Sequence, residues 1–274
     1  MEEQRQAIAV SGRSAKAARN KRINRVIKYG TPLAILLLWQ LFSMLGTINA
    51  SVLPSPLTIV QTGIQRVGTG QLPADLGISL LRVAQGYLLG ALLGVLLGTG
   101  MAFSQRLESA FSVIFNLVRP IPIIAWVPIF IMWLGIGEVS KVTVITFGAF
   151  FPVLLNTIQG IRATDAKLLE VARSFEKNRR RVFFSIILPS AMPAIFTGLR
   201  LGLGLAWMSV VGAEMIGASS GIGYIISFAG QLSQPAVMLM GVLVIGLVGA
   251  LIDSGLRALE RRLMKWNVNS KGVS

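Results

Sequence analysis

The sequence predicts an all-α, polytopic membrane protein with about six transmembrane helices, and three observations predict it. Hydrophobic residues make up 53% of the 274-residue chain and charged ones only 14%, with 29 glycines, a composition unlike that of a soluble domain. Six apolar stretches, near residues 31–48, 78–103, 110–134, 142–161, 190–213 and 236–256, approach the roughly 20 residues that a hydrocarbon core of about 30 Å requires. The basic residues are gathered rather than spread: eight Lys or Arg fall in 1–30, seven from Arg162 to Arg181 and five in 257–274, twenty of the twenty-six.

In a six-span arrangement those three basic segments share one side. The loops on the other side, near 49–77, 135–141 and 214–235, contain only Arg66 and Lys141. The positive-inside rule assigns the basic side, and with it both termini, to the cytoplasm. Topology thereby accounts for the net charge of +15, and no nucleic acid is expected as a partner; a nucleic-acid-binding tail is the rival reading of residues 1–30. "TINAS" at 47–51 resembles a signal-peptide junction, but the basic region before it would be thirty residues long and Ile48 is bulky for a position near a cut. A retained first span is the expectation.

After that span, Pro54 and Pro56 stop the helix, and Leu57, Val60, Ile64 and Val67 then recur at helical spacing. A short helix on the outer surface follows, read as a packing element or a docking element. In the second span Gly86, Gly90, Gly94 and Gly98 leave one helix face nearly without side chains, so that another helix can approach closely. In the third, Pro120, Pro122 and Pro128 each remove a backbone donor. Disturbed backbone at membrane depth requires protein or a watery cavity around it, so this span is expected inside the bundle.

Arg119 and Arg200 each lie about ten residues from the basic ends of their spans, roughly 15 Å deep at 1.5 Å per residue. An arginine there costs several kcal/mol against lipid, so each must pair, face the interior or line an aqueous path. With Trp126 and Trp207 they form the candidate translocation pathway. Arg82, nearer the outer end, is expected to snorkel, and Glu138 and Glu214 read as ordinary interfacial carboxylates.

Cysteine and histidine are absent, which excludes disulfides, thiolate and imidazole chemistry and the usual zinc sites. No carboxylate pair is placed for acid–base work, and "GLRLGLGLAW" lacks the lysine and serine of a phosphate-binding loop. A catalytic role is not expected, nor a cofactor or metal on this chain.

The stretch from Thr164 to Arg181 is polar enough to stay in water, yet Leu168, Ala172 and Phe175 share one helical stripe. A loop that needs only positive charge has no reason to present such a stripe, which implies a partner surface. Here "EVARSFEKNRRRVFFSIILP" resembles the cytoplasmic signature of ATP-binding-cassette importer permeases: a Glu-Ala-Ala triplet, a glycine four residues later and an Ile-x-Leu-Pro ending. Glu170, Ala172, Ile186, Leu188 and Pro189 match in register, while Val171 replaces the middle alanine and Glu176 the glycine. The second departure alters how the segment turns after its helix. The resemblance runs through "LPSP", "SLLRVAQGYLLG", "RPIPIIAWVPIFIMWLGIGEVSK", "FFPVLLNTIQGIR", "GAEMI" and "SGIGYII". It is greatest to the permeases serving aliphatic sulfonates, taurine, nitrate and related small anions, with "NTIQGIR" followed by "LLEVARSF" most similar to the sulfonate branch.

The resemblance implies a type I importer permease of the fold named after the methionine permease. A basic cytoplasmic tail (1–30) would precede a transmembrane permease domain (31–258), and a second tail (259–274) would follow it. It implies a coupling helix near 164–181, with Leu168, Glu170, Ala172, Phe175, Glu176 and, beyond the helix, Pro189 as the ATPase-coupling residues. Two cytoplasmic ATPase subunits would dock there and use ATP and Mg, a second copy of the chain would complete the pathway, and an extracytoplasmic binding protein would deliver cargo. The competing readings are an ATPase-independent secondary anion transporter, which needs inverted repeats and acids deep in its spans, and a membrane-embedded enzyme.

Overall fold

Close-approach glycines set the centre of the molecule. The computed structural model describes residues 27–28, 30–168, 170 and 178–264. Three long helices form the core: α3 (Gln71–Phe103), α6 (Glu138–Arg162) and α7 (Leu188–Gly217). A Cβ at Gly86 would lie 2.6 Å from Ile145, one at Gly90 2.5 Å from the Thr146 carbonyl oxygen, one at Gly94 2.9 Å from Val153 and one at Gly98 2.9 Å from the Leu154 carbonyl oxygen. The partners advance in step with the glycines, so α3 and α6 run parallel with their backbones nearly touching. On the other flank of α6, Gly198 and Gly202 of α7 meet Asn156 and Val153, and Gly160 meets Ala194. Those pairs run in opposite order, so α6 and α7 are antiparallel. Ile145, Ala149, Val153 and Leu154 of α6 are fully buried between them.

The remaining helices clothe this core. They are α1 (Gly30–Met44), α2 (Pro56–Gly68), α4 (Gln105–Val118), α5 (Ile123–Leu134), α8 (Ile222–Gln231) and α9 (Pro235–Leu263). The basic end of the bundle holds Phe103, Arg162 and Leu263; the opposite end holds Gln71, Glu138, Gly217 and Pro235. Ser55 caps α2 by accepting the Thr58 N–H at 3.1 Å, and Ser104 caps α4 through the Leu107 N–H at 3.3 Å, which satisfies donors that a helix start leaves open. At the opposite end Ile59 of α2, Ile222, Ile225 and Ile226 of α8 and Met240 of α9 share one apolar cluster.

The all-helical membrane architecture agrees with the sequence, but the spans are not six straight rods. Among the described residues four helices are long and apolar enough to cross a bilayer: α3, α6, the Arg180–Gly217 helix that contains α7, and α9. The third apolar stretch, expected as one span over 110–134, is two helices, α4 and α5, bent by 104°. Pro120 and Pro122 withdraw two donors on either side of Ile121, and the chain turns through Arg119–Pro122, whereas Pro128 sits inside α5 without ending it. The first helix stops at Met44 and is shorter than the stretch 31–48.

Two further differences concern the opposite end. Residues 214–235, expected as a loop, contain α8, whose Ile222, Ile225, Ile226 and Ala229 are buried at a helical spacing. In α2 it is Ile59 that is buried, while the expected stripe Leu57, Val60, Ile64 and Val67 faces outward.

Candidate functional site

Arg82 of α3 is the first residue the structure reassigns. It does not snorkel: only 3% of it is exposed. Its Nε and Nη2 donate to the two Glu138 carboxylate oxygens, both at 2.7 Å. Nη1 donates to Glu214 Oε1 at 2.7 Å and to the Ser220 carbonyl at 2.8 Å, and Nη2 to Ser220 Oγ at 3.1 Å. A guanidinium has five N–H donors, and all five are engaged. Glu138 opens α6 and its side chain is 60% exposed, whereas Glu214 lies in the last turn of α7 and is 1% exposed, so Glu214 is not an ordinary interfacial carboxylate. The acids lie 56 and 132 residues from Arg82 in sequence, which is why spacing could not reveal the cluster. Lys141 joins it through Glu138 at 3.3 Å.

At the turn between α4 and α5 the structure places Arg119 at the rim of a cavity of about 320 Å³, lined by Pro120, Pro122, Phe147, Phe151, Pro152 and Leu205. The α6 residues of that wall, Phe147 to Leu155, lie about 14–26 Å along a helix of 25 residues. Arg119 therefore sits level with the middle of the bundle. Its side chain is exposed and has no ion-pair partner among the described residues. Trp126, on α5, stacks on Phe130 and packs against Phe147 with ring centroids at 5.8 and 5.3 Å.

Arg200 and Trp207 lie on a different face, beside α9. Arg200 Nε donates to Asp253 at 2.7 Å, and Asp253 also pairs with Arg257 at 2.6 Å. Trp207 is 5% exposed and its indole N–H donates to the Ile245 carbonyl at 3.1 Å. Both residues border an open groove of about 620 Å³ between α7 and α9. The four candidate pathway residues thus divide into two pairs, Arg119 with Trp126 and Arg200 with Trp207, on two faces of the bundle.

At the basic end, Arg162 grips Glu108 of α4 with two bonds of 2.8 and 2.6 Å. The chain after α6 turns at Ala163, and Leu168 is 48% exposed, with its N–H donating to the Asp165 carbonyl at 3.1 Å. Glu170 is helical and exposed. Ala172, Phe175 and Glu176 lie outside the described residues. The chain resumes in a helical turn, Arg179–Val182, and a π-helical turn, Phe183–Ile187, that runs directly into α7. Pro189 is the second residue of α7 and cannot donate; the Leu188 N–H before it reaches back five residues to Phe183, the bond that defines the π turn.

Long apolar helices packed around a broken mid-depth helix define a multi-pass membrane protein. The comparisons with known proteins identify which kind. Residues 90–265 match the family described as the binding-protein-dependent transport system inner membrane component, and the chain belongs to that family. It is a transport subunit rather than an enzyme. The aliphatic sulfonates transport permease protein SsuC of Bacillus subtilis is 45% identical over 88% of this chain and 87% of its own. The taurine transport system permease protein TauC of Escherichia coli is 33% identical over 88% and 90%, and the nitrate import permease protein NrtB of Synechocystis 34% identical over 86% and 88%. In fold, the chain is similar to an inward-facing MetNI methionine ABC transporter structure, with a TM-score of 0.53 and 20% identity over 66% of this chain and 92% of that one.

Proposed function

We propose that this chain is the permease subunit of an ATP-driven importer for a small organic anion, with an aliphatic sulfonate as the first candidate cargo and taurine or nitrate as alternatives. The observation that carries the anion reading is Arg119: an exposed guanidinium without an ion-pair partner among the described residues, at the rim of a largely apolar cavity level with the middle of the bundle. A permanent anion with an organic tail is complementary to that pairing of charge and apolar wall. Trp126 flanks the same path, and the attraction is weak enough for release because Arg119 remains accessible to water. Arg200 and Trp207 border the α7–α9 groove and act on transport through the position of α7.

The basic end is the cytoplasmic end, which puts both termini in the cytoplasm. Two ATPase subunits dock on the 164–181 segments of two permease chains, and an extracytoplasmic binding protein delivers the anion at the opposite end. Leu168 and Phe175 supply the buried contact, Glu170 and the nearby basic residues fix its orientation, and Ala172, Glu176 and Pro189 belong to the same coupling signature. ATP and Mg act on the partner subunits.

Native mass spectrometry of the protein extracted gently from its own membranes tests this reading, with a Phe175→Ala, Glu170→Ala variant beside the parent. Two permease and two ATPase chains are expected together, and the variant is expected to lose the ATPase. A parent that emerges without a nucleotide-binding partner in several mild detergents would overturn the ATP-driven mechanism in favour of ion-gradient-driven transport. Uptake of a labelled alkanesulfonate, competed with taurine and with nitrate, identifies the cargo.

A further inference from the structure

The ion cluster around Arg82 joins α7 and α8 at their junction, where Gly223 of α8 also lies against the Val211 carbonyl of α7. On one side stands α7, reached without interruption from the basic end: the helix Arg180–Gly217 has 38 residues, about 57 Å at 1.5 Å per residue. On the other stands α8, connected to α7 by only a short extended stretch. Ala218 is extended (φ −116°, ψ 159°), and Gly221 has φ +107°, a conformation open to glycine. A Cβ at Gly221 would collide with the Glu214 carboxylate.

Three successive backbone N–H groups at the start of α8 are each held from outside that helix. The Gly221 N–H donates to Asp75 at 2.7 Å, the Ile222 N–H to Ser79 Oγ at 3.0 Å and the Gly223 N–H to Glu214 Oε2 at 2.9 Å. Ser79 Oγ in turn donates to Glu214 at 2.8 Å, and Arg82 closes the circuit by binding Glu214, Glu138 and Ser220 together. Elsewhere α8 touches its neighbours largely through apolar side chains, Ile225, Ile226 and Ala229 among them.

We infer that Glu214 and Arg82 are positioning residues for transport: they latch α8 to the outer end of α7, so that a displacement begun at the coupling segment arrives at the cargo-entry side as movement of both helices. This rests on the importer reading above. Packed apolar faces can slide by a fraction of a side chain, whereas the buried Arg82 guanidinium drawn off the equally buried Glu214 carboxylate finds no water to replace it. The junction is either made or broken, and a lever ending in such a junction transmits motion instead of absorbing it.

The absence of native cysteine makes the test direct. In the assembled transporter, a single spin-labelled cysteine at Met215, at the end of α7, or at Phe228, on α8, reports the distance to its copy in the second permease chain; both side chains are partly exposed. Between the nucleotide-free and ATP-trapped states of the parent, the two distances are expected to change together. In Glu214→Gln the Met215 distance should still respond while the Phe228 distance does not, and uptake per ATP hydrolysed should fall about tenfold with hydrolysis retained. A variant whose two labels still move together, or whose uptake and hydrolysis fall in proportion, would overturn the inference and leave the cluster a purely structural tie. A parent that shows no distance between copies, or none that responds to ATP, would refute the importer reading itself. If Glu214→Gln fails to assemble, Ser79→Ala removes the hydroxyl that joins the Ile222 N–H to Glu214 and should give the same separation of the two labels with a smaller loss of uptake.

Discussion

Gly90→Ala is the sharpest test of the core. The added Cβ would lie 2.5 Å from the Thr146 carbonyl oxygen, 2.8 Å from Ala149 Cβ and 3.2 Å from the Phe150 nitrogen. Two of these are backbone atoms, which cannot rotate out of the way as a flexible side chain can. To restore ordinary contact α3 and α6 must part by about half an ångström, and that loosens the matching contacts at Gly86 and Gly94. Overpacking of this kind costs about 1–3 kcal/mol. The helix itself gains up to about 1 kcal/mol from replacing glycine with alanine, and Gly204→Ala isolates that gain because a Cβ there meets nothing within 4 Å. The two variants should therefore differ by about 2 kcal/mol, which is about 5 °C in midpoint for a chain of this size. Thermal unfolding in one detergent, followed by the five tryptophans, reads the difference. If Gly90→Ala unfolds at the same temperature as Gly204→Ala, the close approach of α3 and α6 is wrong.

Removing Arg82 leaves the fully buried Glu214 carboxylate without its cation, while Glu138 keeps Lys141, so Arg82→Ala should lower stability by about 3–5 kcal/mol. Arg82→Lys should recover only part of it, because an ammonium cannot reproduce the fork, and the same unfolding assay reads both. Arg119→Gln should leave the stability within about 0.5 kcal/mol of the parent, since no ion pair is lost, while slowing uptake of an alkanesulfonate. Trp207→Phe removes one buried hydrogen bond and should cost about 1 kcal/mol. For topology, a single cysteine at Ser219 should react with an impermeant maleimide from outside intact cells, and one at Lys167 only after lysis; the reverse pattern would invert the proposed orientation.

Some of the molecule was legible because its signals are local. A four-residue glycine repeat marks a bare helix face wherever it occurs, and Gly86, Gly90, Gly94 and Gly98 do bring α3 against a partner. Proline at 120 and 122 marks a lost pair of donors, and the break lies there. The helix α8 was missed although Ile222, Ile225, Ile226 and Ala229 repeat at helical spacing, because ten residues between two long spans read as a connection. Arg200 illustrates a limit of depth arguments: its position required a partner or a path, and only the fold supplied Asp253.

The sequence by itself determined the solvent of this protein, its helical class, its family, and the faces where helices meet backbone to backbone, since hydropathy, glycine spacing and lost amide donors act over a few residues. Tertiary structure alone decided what the charges do. Arg82 looked like a snorkelling side chain until α3, α6 and α7 brought Glu138 and Glu214 to it, whereas Arg119 has no carboxylate beside it among the described residues. An ion pair between distant residues depends on the angle and register of whole helices, and that information exists only once they have packed.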